Sequence, residues 1–257
     1  MKLSFESGVV IVVGGSGGIG EQIARAFASE GLPVAITYNA NGTKASAVKA
    51  SIAAEGGTCD CHQVDLANSQ QVAHLFEAVA SKMGAIGHVI YAAGPHFSFE
   101  FIGRIPDAEW SRVIDADVKG GFHVIQNAVK AFRSQRSSGS IVAITTAAVE
   151  RVPVKDILSA APKAAVEMLV RGVAKEAGRY GIRANCIAPG WINVGIGKRG
   201  LEEKLDEAAR EQIRTQSIPL QRIGAADDIV NAALFMSSRE GSYITGQSLA
   251  IDGGLQL

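Results

Sequence analysis

The chain has 257 residues, enough for one large α/β domain or two small ones, and 47% are hydrophobic, so a sizeable core can be buried. Its 25 basic and 25 acidic residues cancel, which leaves no positive field to attract nucleic acid or an anionic membrane. No apolar run approaches the roughly 18 residues of a membrane span. The first residues lack a signal-peptide cleavage site, so we expect a cytoplasmic protein.

Short apolar runs alternate with longer helical patterns along the chain. This alternation predicts βαβ units, and strand runs that are apolar throughout indicate a parallel sheet with helices on both faces. No Pro/Gly/Ser linker interrupts it, so we predict one doubly wound α/β domain, 1–257, with seven strands. The predicted strands are 8–15, 32–38, 58–66, 87–94, 138–148, 182–190 and 246–254, and the predicted helices are 19–30, 43–55, 68–83, 107–133, 160–180 and 225–238.

A Gly-rich turn follows the first predicted strand and opens the first helix. Gly14, Gly18 and Gly20 provide the three properties that a pyrophosphate turn needs: a positive φ, close approach of the backbone to the ligand, and tight helix–strand packing. The helix N-terminus then offers free N–H groups to the phosphates. The turn therefore predicts a Rossmann-type dinucleotide site.

The end of the second strand indicates which dinucleotide is bound. An NAD site usually has an acid there for the ribose 2′-OH. Here Tyr38 and Asn39 stand at that point, and the next acid is Glu55. A 2′-phosphate would meet no repulsion, and Lys44 could assist it, so NADP is the expected cofactor.

About 35 residues separate the "IAPG" run from the next regular helix. The pattern predicts a charged amphipathic helix at 201–215. An insertion after a late strand often covers a substrate cleft, so we predict a substrate lid at 191–224. A solvated surface helix fits the same pattern.

Five motifs together resemble the short-chain dehydrogenase/reductase family. They are "GGSGGIG" at 14–20, "VDL" at 64–66, "AAG" at 92–94, "IAPG" at 187–190 and "SYITGQSLAIDGG" at 242–254. The resemblance covers nearly the whole chain and is most similar to the 3-oxoacyl-thioester reductase branch. It implies a homo-oligomer, dimer or tetramer, formed through the C-terminal segment. The cofactor contacts that it implies, together with the turn and strand ends above, are Gly14, Ser16, Gly18, Ile19, Gly20, Tyr38, Asn39, Asp65, Leu66, Ala92, Ala93, Gly94, Lys163, Pro189, Gly190 and Ile192.

The family's catalytic pattern, Asn, Ser and Tyr-x-x-x-Lys, is altered in this chain. Lys163 matches the Lys, which the resemblance assigns to the nicotinamide ribose. Ser159 stands at the Tyr position, Thr146 at the Ser position and Asp117 at the Asn position. A Ser hydroxyl is a much weaker acid than Tyr, whose pKa begins near 10. The proton donor is therefore open.

Three readings follow from this altered pattern. Dienoyl-thioester reductases of the same family also have Ser-x-x-x-Lys, and hydride addition to a conjugated C=C gives an enolate that needs less acid. The first reading is therefore NADPH-dependent C=C reduction of an enoyl thioester or enone. The alternatives are carbonyl reduction with a non-standard proton donor, and a cofactor-binding subunit with little or no catalysis. Another enoyl-reducing branch has Tyr-x6-Lys, but the matching position holds Asp156, so the resemblance does not extend to it.

Residues after the fourth strand and after "IAPG" are substrate candidates. His96 and Trp191 are expected to contact a small apolar molecule or acyl thioester. The aromatic run after His96 could wall the same pocket or pack on the next helix. Cys59 and Cys61 with His62 are too few donors for a metal site, and no metal is expected.

Overall fold

A computed structural model describes residues 2–257 and, at residues 203 and 204, the backbone alone. All seven strands are parallel and form one sheet in the order β3-β2-β1-β4-β5-β6-β7. This confirms the predicted doubly wound fold. The strands are β1 (Val9–Val13), β2 (Val34–Tyr38), β3 (Cys59–Gln63), β4 (Ile86–Tyr91), β5 (Gly139–Ile144), β6 (Ile182–Pro189) and β7 (Ser248–Ile251).

Helices connect successive strands and cover the sheet on both sides. They are α1 (Gly18–Ser29), α2 (Gly42–Ala54), α3 (Ser69–Met83), α4 (Asp107–Ile114), α5 (Gly120–Gln135), α6 (Ile157–Ala177), α7 (Gly195–Lys204), α8 (Glu207–Gln212) and α9 (Ala226–Ser237). Within the described residues, no helix combines the length and the apolar composition that crossing a bilayer requires.

The core consists of two apolar layers, one on each face of the sheet. Ile11 of β1 points toward α3, α5 and α6, whereas Val12 points toward α1, α2 and α9. Both side chains are fully buried. Because neighbouring strand residues alternate between faces, a strand covered on both sides must be apolar at every position. This explains the uninterrupted apolar runs.

Two predicted helices are interrupted in the structure. The helix expected at 107–133 contains a π-helical turn, Asp115–Lys119, between α4 and α5. The helix expected at 201–215 was wrong as one element, because α7 ends and Asp206 caps the start of α8 by accepting a hydrogen bond from the Ala209 N–H at 2.7 Å. Leu205 and Asp206 are extended, which ends α7, and the Asp206 side chain then satisfies one of the N–H groups that the new helix start leaves without a partner.

Strand order reverses between β1 and β4, whose outgoing connections run to opposite faces of the sheet. Crevices at such a switch point, beyond the carboxyl ends of the strands, are where α/β sheets bind ligands. The fold thereby brings the first βα turn together with the ends of β4, β5 and β6.

Candidate active site

A cleft of about 490 Å³ runs along the carboxyl edge of the sheet. Its walls come from the Gly-rich turn at 14–20, called the phosphate loop below, the ends of β2 to β6, the start of α6 and the start of α7. Every residue named above as catalytic or cofactor-binding lines it, together with Trp191. The sequence motifs therefore converge on one continuous surface.

The phosphate loop is shaped by glycines that have no room for a side chain. Gly14 has φ +81°, and a Cβ there would lie 2.9 Å from the Ala92 carbonyl oxygen. Its N–H donates to the Thr37 hydroxyl at 3.0 Å, a contact that fixes the turn against β2 and that sequence reasoning did not anticipate. A Cβ on Gly18 would lie 2.6 Å from the Gly195 nitrogen. The loop is thus packed against both β4 and the start of α7.

The N-terminus of α1 faces the cleft without a side-chain cap. Gly17 occupies the N-cap position in extended conformation, and no side chain there accepts from the first-turn N–H groups. Uncapped N–H groups at a helix start attract anionic oxygens. The loop therefore fits the pyrophosphate of a dinucleotide.

The adenosine end of the cleft is lined by Tyr38 and Asn39. The Gln63 side-chain amide donates to the Asn39 carbonyl at 2.9 Å and holds the end of β2. The Asp65 carboxylate accepts from the Ala67 N–H at 3.0 Å and so shapes its own turn. Among the described residues lining this end there is no lysine or arginine, and Lys44 lies outside the cleft.

Lys163 is buried at the other end of the cleft and paired with Asp117. Its ammonium donates to Asp117 Oδ1 at 2.8 Å and to the Ala93 carbonyl at 2.9 Å. The lysine is 8% exposed and the aspartate 3%. The π-helical turn at 115–119 carries Asp117 to this position, since an extra residue in a helical turn changes the direction of its side chains. The sequence identified both positions but not their ion pair.

Tyr91 lies beneath this ion pair rather than in the cleft. Its side chain is fully buried, and its hydroxyl lies 3.2 Å from Asp117 Oδ1 and 3.1 Å from the Asp117 carbonyl. Burial, together with the neighbouring carboxyl, raises the pKa of Tyr91 well above its ordinary value. Tyr91 therefore supports Asp117 and cannot serve as a solvent-linked acid.

Two hydroxyl groups stand near Lys163 in the cleft wall. Ser159 lies one turn before Lys163 on α6, so that the two residues share a face of the helix. The Thr146 hydroxyl accepts from the Ala148 N–H at 3.2 Å, which leaves its proton available to the cleft. Both can donate hydrogen bonds, but neither is a strong acid.

Asp156 lines the same wall, and the sequence motifs did not assign it a role. It precedes α6 and is 9% exposed. Burial raises the pKa of the Asp156 carboxyl to about 7. A carboxyl that titrates near neutrality in a cleft is a candidate acid or base.

The outer end of the cleft is aromatic. Phe97 and Phe99, with ring centroids 5.3 Å apart, line it opposite Trp191, and Arg199 and Leu255 complete the rim. His96, expected at the substrate, lies outside the cleft with an exposed side chain, and its carbonyl accepts from Arg112 at 2.6 Å. The loop after β4 has no periodicity that would have shown which side chains turn inward. The rim contacts of Arg199 and Leu255 likewise depend on tertiary packing alone.

The structure groups no three His, Cys, Asp or Glu side chains into a metal site within the residues it describes. Near Cys59, Asp60 instead forms ion pairs with Lys49 and Lys82 at 2.8 and 2.7 Å.

An uncapped helix start behind a glycine turn, at the switch point of a doubly wound sheet, defines a dinucleotide-binding protein of the Rossmann class. Comparison with known families makes this specific. Residues 14–256 match the family described as "Enoyl-(Acyl carrier protein) reductase". The chain belongs to the short-chain dehydrogenase/reductase family of oxidoreductases, which use nicotinamide cofactors.

Individual relatives match over nearly the full chain. The 3-oxoacyl-(acyl-carrier-protein) reductase FabG of Staphylococcus aureus is 33% identical over 247 residues, covering 96% of this chain and 97% of the relative. The 3beta-hydroxysteroid dehydrogenase 1 of Eggerthella lenta is 32% identical, covering 96% and 93%. A short-chain dehydrogenase/reductase structure from Mycobacterium ulcerans superposes with a TM-score of 0.91 at 28% identity, covering 99% and 91%.

Proposed function

We propose that the protein is an NADPH-dependent reductase of a carbonyl group in an apolar substrate, with a 3-oxoacyl thioester as the first candidate. The observation that carries this is Lys163, buried at the cleft floor of a chain that aligns end to end with a 3-oxoacyl reductase. The hydroxysteroid dehydrogenase relative is also named for an oxygen function at carbon 3. Carbonyl reduction is thereby placed before conjugated C=C reduction, which is the reverse of the order drawn from the altered catalytic pattern.

The choice of NADPH rests on the adenosine end of the cleft. Tyr38 and Asn39 leave the 2′ position without a negative neighbour at the end of β2. A 2′-phosphate therefore loses nothing to repulsion there, whereas a 2′-hydroxyl lacks the carboxylate that usually binds it.

The residues around Lys163 have distinct proposed roles. Bound nicotinamide would supply the hydride to the substrate carbon. Lys163 holds the cofactor ribose and places a positive charge near the reacting oxygen, while Asp117 fixes the direction of the ammonium. Ser159 and Thr146 donate hydrogen bonds to the substrate oxygen. Trp191 and the aromatic rim hold the apolar part of the substrate.

Conjugated C=C reduction is the second candidate, and Ser159 in place of a tyrosine acid favours it. Hydride addition to an enoyl thioester produces an enolate whose charge is delocalised, and carbon can be protonated later. A ketone instead yields an alkoxide that needs a proton as the hydride arrives. With serine in place of the tyrosine acid, each pKa unit of lost acidity costs at most about 1.4 kcal/mol of driving force for proton transfer. This cost falls mainly on the ketone, so the rates on the two substrates distinguish the two reactions.

The test is NADPH oxidation on 3-oxoacyl and trans-2-enoyl thioesters of equal chain length. Faster turnover of the 3-oxo compound supports carbonyl reduction, and faster turnover of the enoyl compound transfers the proposal to the second candidate. NADPH binding without turnover of either substrate supports the third reading, a cofactor-binding subunit.

We further propose that residues 191–224 form the lid of this cleft. Arg199 of α7 reaches the rim, and Gly195 packs against the phosphate loop. The two ends of the segment are joined where the Asn193 N–H donates to the Gly224 carbonyl at 2.8 Å. Such a closed segment can move as one unit while its ends stay fixed.

A homo-oligomer, dimer or tetramer, is part of the same proposal. The C-terminal edge keeps large apolar groups exposed, with Tyr243 fully exposed and Leu249 of β7 41% exposed. Exposed apolar side chains beside a sheet edge favour association with another copy. Light scattering after gel filtration measures the assembly.

A further inference from the structure

We propose that Asp156 is the proton donor of the reaction. The carboxyl group at the start of α6 would supply the acid that Ser159 cannot. This inference rests on the proposed reductase function. Asp156 is not one of the four positions of the family's catalytic pattern.

The position of Asp156 puts it in the reacting part of the cleft. It lines the cleft together with Ser159 and Lys163, all on the first two turns of α6 or just before them. The Asp156 carbonyl accepts from the Ser159 N–H at 3.0 Å and from the Ala160 N–H at 2.9 Å. The aspartate is therefore fixed to the same helical turn as the serine.

The Asp156 carboxyl does not perform the structural task that its place offers. Aspartate is among the best N-cap residues because its side chain binds the first N–H groups of a helix. Here the backbone at Asp156, φ −107° and ψ 19°, departs from the extended N-cap geometry, and the side chain makes no capping hydrogen bond. It lies buried against the cleft instead. Among the described residues its carboxyl has no hydrogen-bond partner, and holding such a group in a largely desolvated place costs stability, which suggests a function.

Burial is what gives this carboxyl a useful acidity. Among the described residues, no hydrogen bond and no charge contributes to its shifted pKa, which desolvation raises to about 7. A group with that pKa is about half protonated at neutral pH and readily releases its proton, and a pKa near the working pH is the condition for efficient general acid catalysis. A serine hydroxyl keeps its proton but does not readily release it.

The charged groups of the neighbouring elements are occupied elsewhere. Arg151, in the loop before α6, donates to the Leu255 and Leu257 carbonyls at 3.2 Å, and Lys163 is paired with Asp117. The Lys155 ammonium lies 4.7 Å from the centroid of the Phe101 ring. Arg199 of α7 lines the same cleft at its rim. None of these forms an ion pair with Asp156 among the described residues.

The proposed step balances with NADPH as the reductant. The substrate carbonyl carbon gains the hydride and forms a C–H bond, and the π electrons move to oxygen. Asp156 gives its proton to that oxygen, directly or through one water, and becomes a carboxylate. The product is the alcohol and NADP⁺, and solvent returns the proton to Asp156 before the next turnover.

The experiment compares Asp156→Asn, Asp156→Glu and the parent on acetoacetyl-CoA over a pH series. General acids contribute about 10² to 10⁴ in rate, so Asp156→Asn should lose about that factor in kcat. The parent should lose kcat/KM as pH rises through about 7, since the acid must be protonated. Asp156→Glu, which keeps a carboxyl, should regain part of the rate. Glu150→Gln makes the same carboxyl-to-amide change at an exposed site six residues earlier and should match the parent.

A second measurement does not depend on turnover. The infrared difference spectrum between parent and Asp156→Asn at pH 6 should contain the C=O stretch of a protonated carboxyl, and this band should disappear by pH 8.5. NADPH binding by Asp156→Asn should equal that of the parent.

Parent-like turnover and pH dependence in Asp156→Asn would overturn the role of Asp156 and leave the reductase proposal intact. Absence of the carboxyl band, or absence of turnover in a parent that binds NADPH, would also overturn it. Failure of the parent to bind NADPH would defeat the proposed function itself.

Discussion

At the scale of a single residue, we expect the side chain at Asn39 to set cofactor choice. An aspartate at this position would repel a 2′-phosphate and accept from a 2′-hydroxyl. The parent should bind NADPH at least about tenfold more tightly than NADH, a difference of about 1.4 kcal/mol. Asn39→Asp should weaken NADPH binding and tighten NADH binding. Fluorescence titration of both nucleotides measures this, and an unchanged preference in Asn39→Asp would place the 2′ group elsewhere.

Lys163 is buried in an ion pair with Asp117, and we expect it to serve the cofactor as well as the fold. Removing its charge leaves the buried Asp117 carboxylate without its ion pair, and loss of one partner in a buried pair costs about 3–5 kcal/mol. Lys163→Met should therefore lose stability of that order, together with NADPH affinity.

The double variant Lys163→Met with Asp117→Asn provides the control. It should recover much of the stability, because no unpaired charge remains, but none of the NADPH affinity. Urea unfolding and fluorescence titration separate the two effects. A Lys163→Met protein that binds NADPH like the parent would show that the lysine is purely structural.

Asp156 makes stability depend on pH in an unusual direction. Its folded pKa, about 7, lies above the ordinary 3.8, so the folded state holds a proton that the unfolded state has released between these values. Stability from this group is therefore greatest below about pH 4, falls as pH rises, and levels off above about 7. Asp156→Asn removes the penalty, which is at most about 4 kcal/mol for a shift of this size.

Thermal unfolding of Asp156→Asn and parent at pH 5 and pH 8 checks this sign. The variant's advantage in Tm should be larger at pH 8 than at pH 5. An equal difference at both values would mean that the carboxyl is not held in a desolvating site.

At the residue scale, a motif predicts which residues meet in the cleft because it fixes their positions along the chain, and their roles stay predictions. The glycines, Lys163 and Asp117 follow strands or helices at set spacings, so their arrival in the cleft could be expected. Asp156 stands at the Tyr-x6-Lys spacing from Lys163, but spacing alone could not show its importance, because that depends on burial.

At the scale of elements, an arginine of β6 adds polar contacts to the end of α9, whose apolar face packs on the sheet. Arg183 of β6 donates to a cluster of carbonyls at the end of α9 and in the turn after it, at 2.6 to 3.4 Å, on Met236, Ser237, Ser238, Gly241 and Ile244. Helix ends leave such carbonyls without partners, and arginine has enough donors to satisfy several of them.

Arg183→Met should lower the free energy of unfolding by about 2–4 kcal/mol, because the buried carbonyls lose their donor. Arg239→Met breaks an exposed ion pair with Glu6 and should cost about 1 kcal/mol or less. Urea unfolding of both variants measures the contrast. Equal losses would show that the carbonyls find other partners when the guanidinium is gone.

The interrupted helices show what element-level prediction lacks. The hydrophobic period predicts a helix but does not show the π-helical turn at 115–119, because the pattern alone does not locate the turn that takes in the extra residue. The break before α8 was visible in principle, because Asp206 is a strong N-cap residue.

At the scale of the whole molecule, the cleft brings together elements from both halves of the sheet. The phosphate loop comes from the first βα unit, whereas Lys163 and Trp191 come from β5–α6 and the end of β6. Alternation in the sequence predicted a parallel sheet but not this order of strands, which arises from crossovers between distant segments. A ligand that spans the cleft should therefore stabilise the entire fold rather than one part.

Gly18 is the position where this coupling can be tested. A Cβ there would lie 2.6 and 2.7 Å from the Gly195 N and Cα atoms, so that Gly18→Ala must separate the phosphate loop from α7. A Cβ on Gly17 has its nearest contact at 3.4 Å, so Gly17→Ala is the matched control for stability without cofactor.

In the parent, NADPH at about 100 times its Kd should add about 2.7 kcal/mol of stability. At about 2–4 °C per kcal/mol for a chain of this size, Tm should rise by about 5–10 °C. Gly18→Ala should begin with a lower Tm than Gly17→Ala and should lose most of the NADPH-induced rise, because the binding surface needs the loop and α7 in contact. If Gly18→Ala shows the parent's full rise in Tm, the phosphate loop binds the cofactor independently of the segment after β6.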